Sequence, residues 1–158
     1  MCDTFCVILF KESTMGTVHA EITLRNAFDS AKVREGILKE GEIRSMTVTA
    51  VVDTGAMTLV ITEELRLKLG LTITAQKNVR VASGQRLSCG MTEAVEIHWK
   101  DRFSTLSAVV IPGAEKVLLG VIPLEDMDLI VNPVTQELIG AHGDIVEVMA
   151  LSPFPVRE

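Results

Sequence analysis

A chain of 158 residues, 47% of them apolar, is long enough to bury a core as one domain and too apolar to be wholly disordered. Its net charge is −6, with 15 basic and 21 acidic residues spread along it and no basic run of the kind that grips phosphates, so nucleic acid is not an expected partner. The longest apolar runs are far too short for a bilayer, so no membrane partner is expected either.

Met1 to Thr14 has no clear pattern. Phe5 to Phe10 is apolar but short, lacks a basic stretch before it and is followed by Lys11, so it is not read as a signal peptide. Residues 1–14 are expected to be an extension, residues 15–140 the folded domain and residues 141–158 a tail. From Thr17 to Leu24 the apolar residues Val18, Ala20, Ile22 and Leu24 alternate, which predicts a half-buried strand. Asn26 to Arg44 is polar, with Gly36 and Gly41 as breakers; it reads as loop, with a helical turn at Ser30–Glu35 and a strand around Ile37-Leu38.

Met46, Val48, Ala50 and Val52 then alternate on one face of a strand, with Thr47, Thr49 and Val51 on the other. The strand ends apolar on both faces, as a central strand should, and delivers Asp53-Thr54-Gly55-Ala56. A carboxylate is costly to bury after such a run unless it is hydrogen-bonded. Thr54 and Gly55 suit a tight turn, and the chain becomes apolar again at Leu59-Val60-Ile61. A carboxylate on a sharp turn between two apolar strands is a place for acid–base chemistry.

Thr62 to Gly70 predicts a short helix, capped by Thr62, acidic in its first turn and stopped by Gly70, with Leu65 and Leu69 on the buried face. Asn78 to Cys89 predicts a hairpin with its turn at Ala82-Ser83-Gly84-Gln85. Val95, Ile97 and Trp99 alternate, Lys100-Asp101-Arg102 turns the chain, and Phe103 to Ile111 returns as a strand. After a turn at Pro112-Gly113, Lys116 to Gly120 reads as a short buried strand ending in glycine, followed by a brief helix from Pro123 to Asp126. Leu129–Val131 and Leu138-Ile139 predict a final hairpin around Asn132-Pro133.

Asp53-Thr54-Gly55-Ala56 between two apolar strands, with Leu118-Leu119-Gly120 downstream, resembles the retropepsin-like aspartic proteases, in particular the small single-lobed bacterial members. The resemblance runs from about Met15 to Gly140. It implies a mainly β fold, a closed barrel-like lobe with one or two short helices, and an aspartic endopeptidase without metal or organic cofactor. Asp53 is the catalytic residue it implies. Thr54 would lock two active-site loops across an interface, Gly55 would present its carbonyl to substrate backbone, and Ala56 completes the loop. Leu118, Leu119 and Gly120 correspond to the strand that supports the turn. The hairpin falls where a flap should be, so Ala82, Ser83, Gly84 and Gln85 would close over an extended peptide or protein substrate; an ordinary surface hairpin is the plainer alternative. Relatives often begin near a Met-Gly, so Met15 is a candidate start, which the intact mass of the native protein tests.

The mechanism needs two carboxylates sharing one proton. This chain has one Asp-Thr-Gly and no second Asp-Ser/Thr-Gly, so, given that mechanism, a homodimer is required. Two places depart from the viral pattern: Met57-Thr58 stand where acidic residues are common, and Val121-Ile122 where a charged residue is common. A non-catalytic peptide-binding or dimerisation module on the same fold is the rival reading, and a self-processing precursor a third. Cys2, Cys6 and Cys89 make an odd count, which fits a reducing compartment and hence the cytoplasm. Cys89 reads as a small buried residue, His19, His98 and His142 as solvent-facing, and Glu125, Asp126 and Asp128 as a solvated helix end.

Overall fold

The computed structural model describes residues 6–7 and 16–145. The expectations for the rest of the N-terminal extension, for Met15 as a start and for the tail beyond residue 145 lie outside the described residues. In chain order the elements are β1 (Cys6–Val7), β2 (Val18–Asn26), α1 (Ala27–Arg34), β3 (Ser45–Val52), β4 (Leu59–Ile61) and α2 (Glu63–Lys68). There follow β5 (Ile73–Arg80), β6 (Arg86–Trp99), β7 (Arg102–Val110), β8 (Val117–Leu119), α3 (Val121–Asp126), β9 (Leu129–Asn132) and β10 (Glu137–Gly140).

Six strands close into a barrel. β6 pairs with β2, β2 with β3, β3 with β8, β8 with β4, β4 with β7, and β7 returns to β6. Closure satisfies the backbone groups that an open sheet leaves at its two edges. The fold is therefore mainly β and barrel-like, as the sequence predicts. The alternation of β2 carries Val18, Ala20, Ile22 and Leu24 into the core, where they meet Ala50 and Val52 of β3, Val95 and Ile97 of β6 and Leu119 of β8. Leu65 and Leu69 of the α2 segment seal one side of that core, and the Thr62 hydroxyl accepts from the Leu65 N–H, as the cap pattern requires. β9 and β10 form the final hairpin.

β6 is 14 residues long and does two jobs. Its first half pairs with β5 and its second half with β2; a bulge separates the two, between Met91 and Ala94 opposite β7. At the bulge the buried Thr92 hydroxyl accepts from the Ala108 N–H at 3.0 Å and donates to the Glu93 carbonyl at 2.7 Å.

Four expectations are corrected. Residues 27–34 form a helix of two turns rather than a loop with one turn, because buried Asn26 caps it by accepting from the N–H groups of Phe28 and Asp29. Ile37-Leu38 is not a strand: both N–H groups turn back to the Lys32 carbonyl and finish that helix, leaving Ile37 66% exposed. Asp128 is not a solvated helix end. It is buried, holds a positive φ of 53°, and faces Arg102 at 3.4 Å and His142 at 2.9 Å. The Arg102 guanidinium, itself buried, also donates to the carbonyls of Met127, Asp128 and Gly143, so residues 141–145 fold back against the barrel. His98 likewise is only partly exposed, paired with Glu96 at 3.1 Å and stacked on Phe103. Cys6–Val7 adds a short parallel strand to β5 where no pattern was read.

Candidate active site

β8 lies between β3 and β4, parallel to the first and antiparallel to the second. The segment that joins β3 to β4, residues 53–58, must therefore pass around the end of β8. This threading places the Asp-Thr-Gly turn against Leu119 and Gly120. The Asp53 N–H donates to the Leu119 carbonyl at 3.0 Å, and the Ala56 N–H donates back to the Asp53 carbonyl at 3.1 Å, which closes the turn. The Gly55 N–H donates to Asp53 Oδ1 at 2.8 Å, so the carboxylate is oriented by its own turn. Asp53 and Gly55 are half-buried, Thr54 is exposed and Ala56 is buried.

Gly120 is needed for close approach. A Cβ there would sit 2.5 Å from the Thr58 carbonyl oxygen and 2.6 Å from that of Ala56, both backbone atoms that cannot step aside. Past Gly120 the Val121 N–H donates to the Ala56 carbonyl and the Ile122 N–H to the Met57 carbonyl, each at 2.9 Å. These loop carbonyls satisfy N–H groups at the start of α3, which has no side-chain cap. The structure thus brings Asp53, Thr54, Gly55 and Ala56 together with Leu118, Leu119 and Gly120 in one hydrogen-bonded unit.

The predicted hairpin is present and longer than expected, since β5 begins at Ile73. Its tip, Ala82 to Gln85, is exposed; the Val81 N–H donates to the Gln85 carbonyl, the Gly84 N–H to the Val81 carbonyl, and Gly84 sits at φ +82°. These bonds close the tip on itself. The base of the hairpin is tied to the Asp53 turn in another way. A second apolar cluster joins Ala56, Val60 and Leu118 to Val79 and Cys89 of the hairpin and to Val109 and Ile111 at the end of β7. Cys89 is buried there, as a small apolar residue would be. Thr74 to Asn78, in contrast, are exposed on both faces, so that part of the arm stands off the barrel.

Sequence reasoning missed the role of Val79 and Cys89 in joining hairpin to turn; their apolar character was visible, but their shared partner was not. Two cavities, of about 330 and 270 Å³, lie elsewhere: one beside α2, lined by Val48, Leu65 and Val117, and one beside α1, lined by Ser30, Glu96 and Phe103. Asp53 opens onto neither. Among the described residues no group of three His, Cys, Asp or Glu side chains comes together as a metal site.

Residues 40–122, more than half of the chain, match the aspartyl protease family. No curated protein matches the sequence. Among solved structures, the chain is similar to the EIAV protease in complex with the inhibitor HBY-793, at 17% identity and a TM-score of 0.47 over 73% of this chain and 92% of that one. It is similar to a retropepsin-like aspartic protease from Rickettsia conorii, at 19% identity and a TM-score of 0.38 over 68% of each chain. A protein of unknown function from Legionella pneumophila is similar at 15% identity and a TM-score of 0.35, over 52% of this chain and 77% of that one. The family match covers the Asp53 turn, the hairpin and the β8–Gly120 support together, and the chain belongs to the aspartyl protease family.

Proposed function

We propose that this chain is an aspartic endopeptidase that works as a homodimer, with Asp53 of each copy forming the catalytic pair. The observation that carries the reading is the Asp53 turn itself: a carboxylate oriented by the Gly55 N–H, on a loop braced by Leu119 and Gly120, and present once per chain. Two carboxylates close together cannot both ionise easily, so the pair holds one shared proton. The ionised member takes a proton from a water between them as the water oxygen attacks the scissile carbonyl carbon. The protonated member donates to the carbonyl oxygen. Collapse of the tetrahedral intermediate returns a proton to the leaving amine and regenerates the pair.

In this reading the exposed Thr54 hydroxyl bonds across the interface, and the Gly55 carbonyl and the tip Ala82–Gln85 hold substrate as an extended strand. The hairpin closes over the peptide and opens to release product; the exposed arm and the Gly84 turn support that motion. The odd cysteine count favours a reducing compartment, the cytoplasm, as its place of work.

Cleavage of a diverse peptide mixture, read by mass spectrometry from acid to neutral pH, tests the reading. Wild type is expected to give cuts that vanish in Asp53→Ala. Absence of cuts at every pH, from folded and dimeric protein, would move the assignment to a peptide-binding module on the same fold.

A further inference from the structure

Polar groups converge at a second place, on the outer face of the barrel and away from the Asp53 turn. Arg25 and Glu96 are cross-strand neighbours on β2 and β6, and His98 and Phe103 on β6 and β7, so these four side chains share one face. α1 turns Ser30, Val33 and Arg34, three and four residues apart, towards that face, and the cavity of about 270 Å³ lies between them.

The Glu96 carboxylate, 13% exposed, lines this cavity. Its Oε2 is engaged, accepting from the buried Ser30 hydroxyl at 3.0 Å and pairing with His98 Nε2 at 3.1 Å. Its Oε1 has no hydrogen bond among the described residues and faces Arg34 Nη1 across 4.0 Å, beyond bonding distance. The Arg34 side chain is 70% exposed and makes no hydrogen bond of its own among the described residues. One carboxylate oxygen and one guanidinium thus stand close together, each with bonding capacity to spare. Arg25 and Glu40, by contrast, satisfy each other at 3.0 Å. The rest of the lining is apolar: Val33, Ile43 and the Phe103 ring, which is 64% exposed and stacked on His98. A cation alone would leave Arg34 unanswered, and an anion alone would meet Glu96. A ligand with both charges side by side and an apolar group beside them answers every wall of the cavity.

We propose that the cavity beside α1 binds a free α-amino acid with an apolar or aromatic side chain, its ammonium group on Glu96 Oε1, its carboxylate on Arg34 and its side chain against Phe103. This site is separate from the Asp53 turn and stands whether or not the chain cleaves peptides.

Titration of the full chain with L-phenylalanine at neutral pH, followed by amide NMR, tests it. Saturable shifts are expected at Arg34, Glu96, His98 and Phe103, with a Kd of about 1 mM. Phenylalaninamide, which lacks the carboxylate, and N-acetylphenylalanine, which lacks the ammonium, are each expected to bind about tenfold more weakly or worse. Arg34→Met, at an exposed position, should keep the fold, weaken L-phenylalanine by about tenfold and leave phenylalaninamide unchanged. Glu96→Gln should weaken both amines while its amide oxygen still accepts from Ser30; should it loosen α1, Arg34→Met decides alone. No saturable shift with L-phenylalanine or L-leucine overturns the site. So does an Arg34→Met variant that binds L-phenylalanine like wild type, or a pair of blocked analogues that bind as tightly as the free amino acid.

Discussion

Two buried polar residues do more for this molecule than their number suggests. Asn26 is wholly buried, and its side chain is used on both sides: Oδ1 accepts from the first N–H groups of α1, and Nδ2 donates to the Leu69 carbonyl at 3.0 Å and more weakly to that of Gly70. One residue thus starts a helix and fastens the end of another. Asp29 follows it, buried, and takes three bonds from Arg44: the backbone N–H at 3.1 Å, Nε at 2.7 Å and Nη2 at 2.9 Å. The bonds from the Arg44 side chain are the main reason its carboxyl is held below the usual 3.8. A depressed carboxyl stabilises the fold above its ordinary value, and that contribution is lost as pH falls through the lower folded value. Asp29→Asn should therefore lower stability at neutral pH by about 2 kcal/mol and make the melting temperature less sensitive to acid as the pH falls below about 4. Thermal melts of both proteins across that range check it; parallel acid limbs would count against the pairing.

At the scale of elements, the loop around β8 and the bulge in β6 decide how the site is built. Gly120→Ala drives a methyl group into two backbone carbonyl oxygens of residues 56 and 58, so the loop must open. The expected result is a drop of several degrees in melting temperature together with loss of cleavage, read on the same preparation. Thr92→Val keeps the shape of the bulge but strands the Ala108 N–H in the interior, at a cost of about 1–3 kcal/mol seen in urea unfolding. The hairpin tip should behave in the opposite sense. Its four residues are exposed and bond back only to Val81, so shortening Ala82–Gln85 to a two-residue turn should leave the melting temperature nearly unchanged while kcat/KM falls by about tenfold or more. A shortened hairpin with full activity would remove these residues from the substrate site.

The whole molecule shows which features of a chain speak locally and which need partners. The Asp53 turn, α2, the final hairpin and the β8–Gly120 segment were legible because caps, glycines and alternation lie within a few residues of one another. The first half of β5 was not, since Thr74 to Asn78 are exposed on both faces and pair only by following β6. α1 was read short because its cap is fixed by carbonyls some forty residues away, and because buried Asp29 and Ser30 blur its apolar face. The Arg102–Asp128 contact joins residues that only the barrel brings together. Barrel closure itself has a consequence in time. β3 and β4 leave the ribosome as neighbours in sequence, yet the strand between them comes roughly 65 residues after β3 ends. Until Val117–Leu119 arrives, the nascent chain holds two unpaired edges and a turn with nothing behind it, the slow, non-local step of folding. A chain that stops before residue 117 therefore leaves the Asp53 turn unsupported from a distance, with every residue of the turn itself intact.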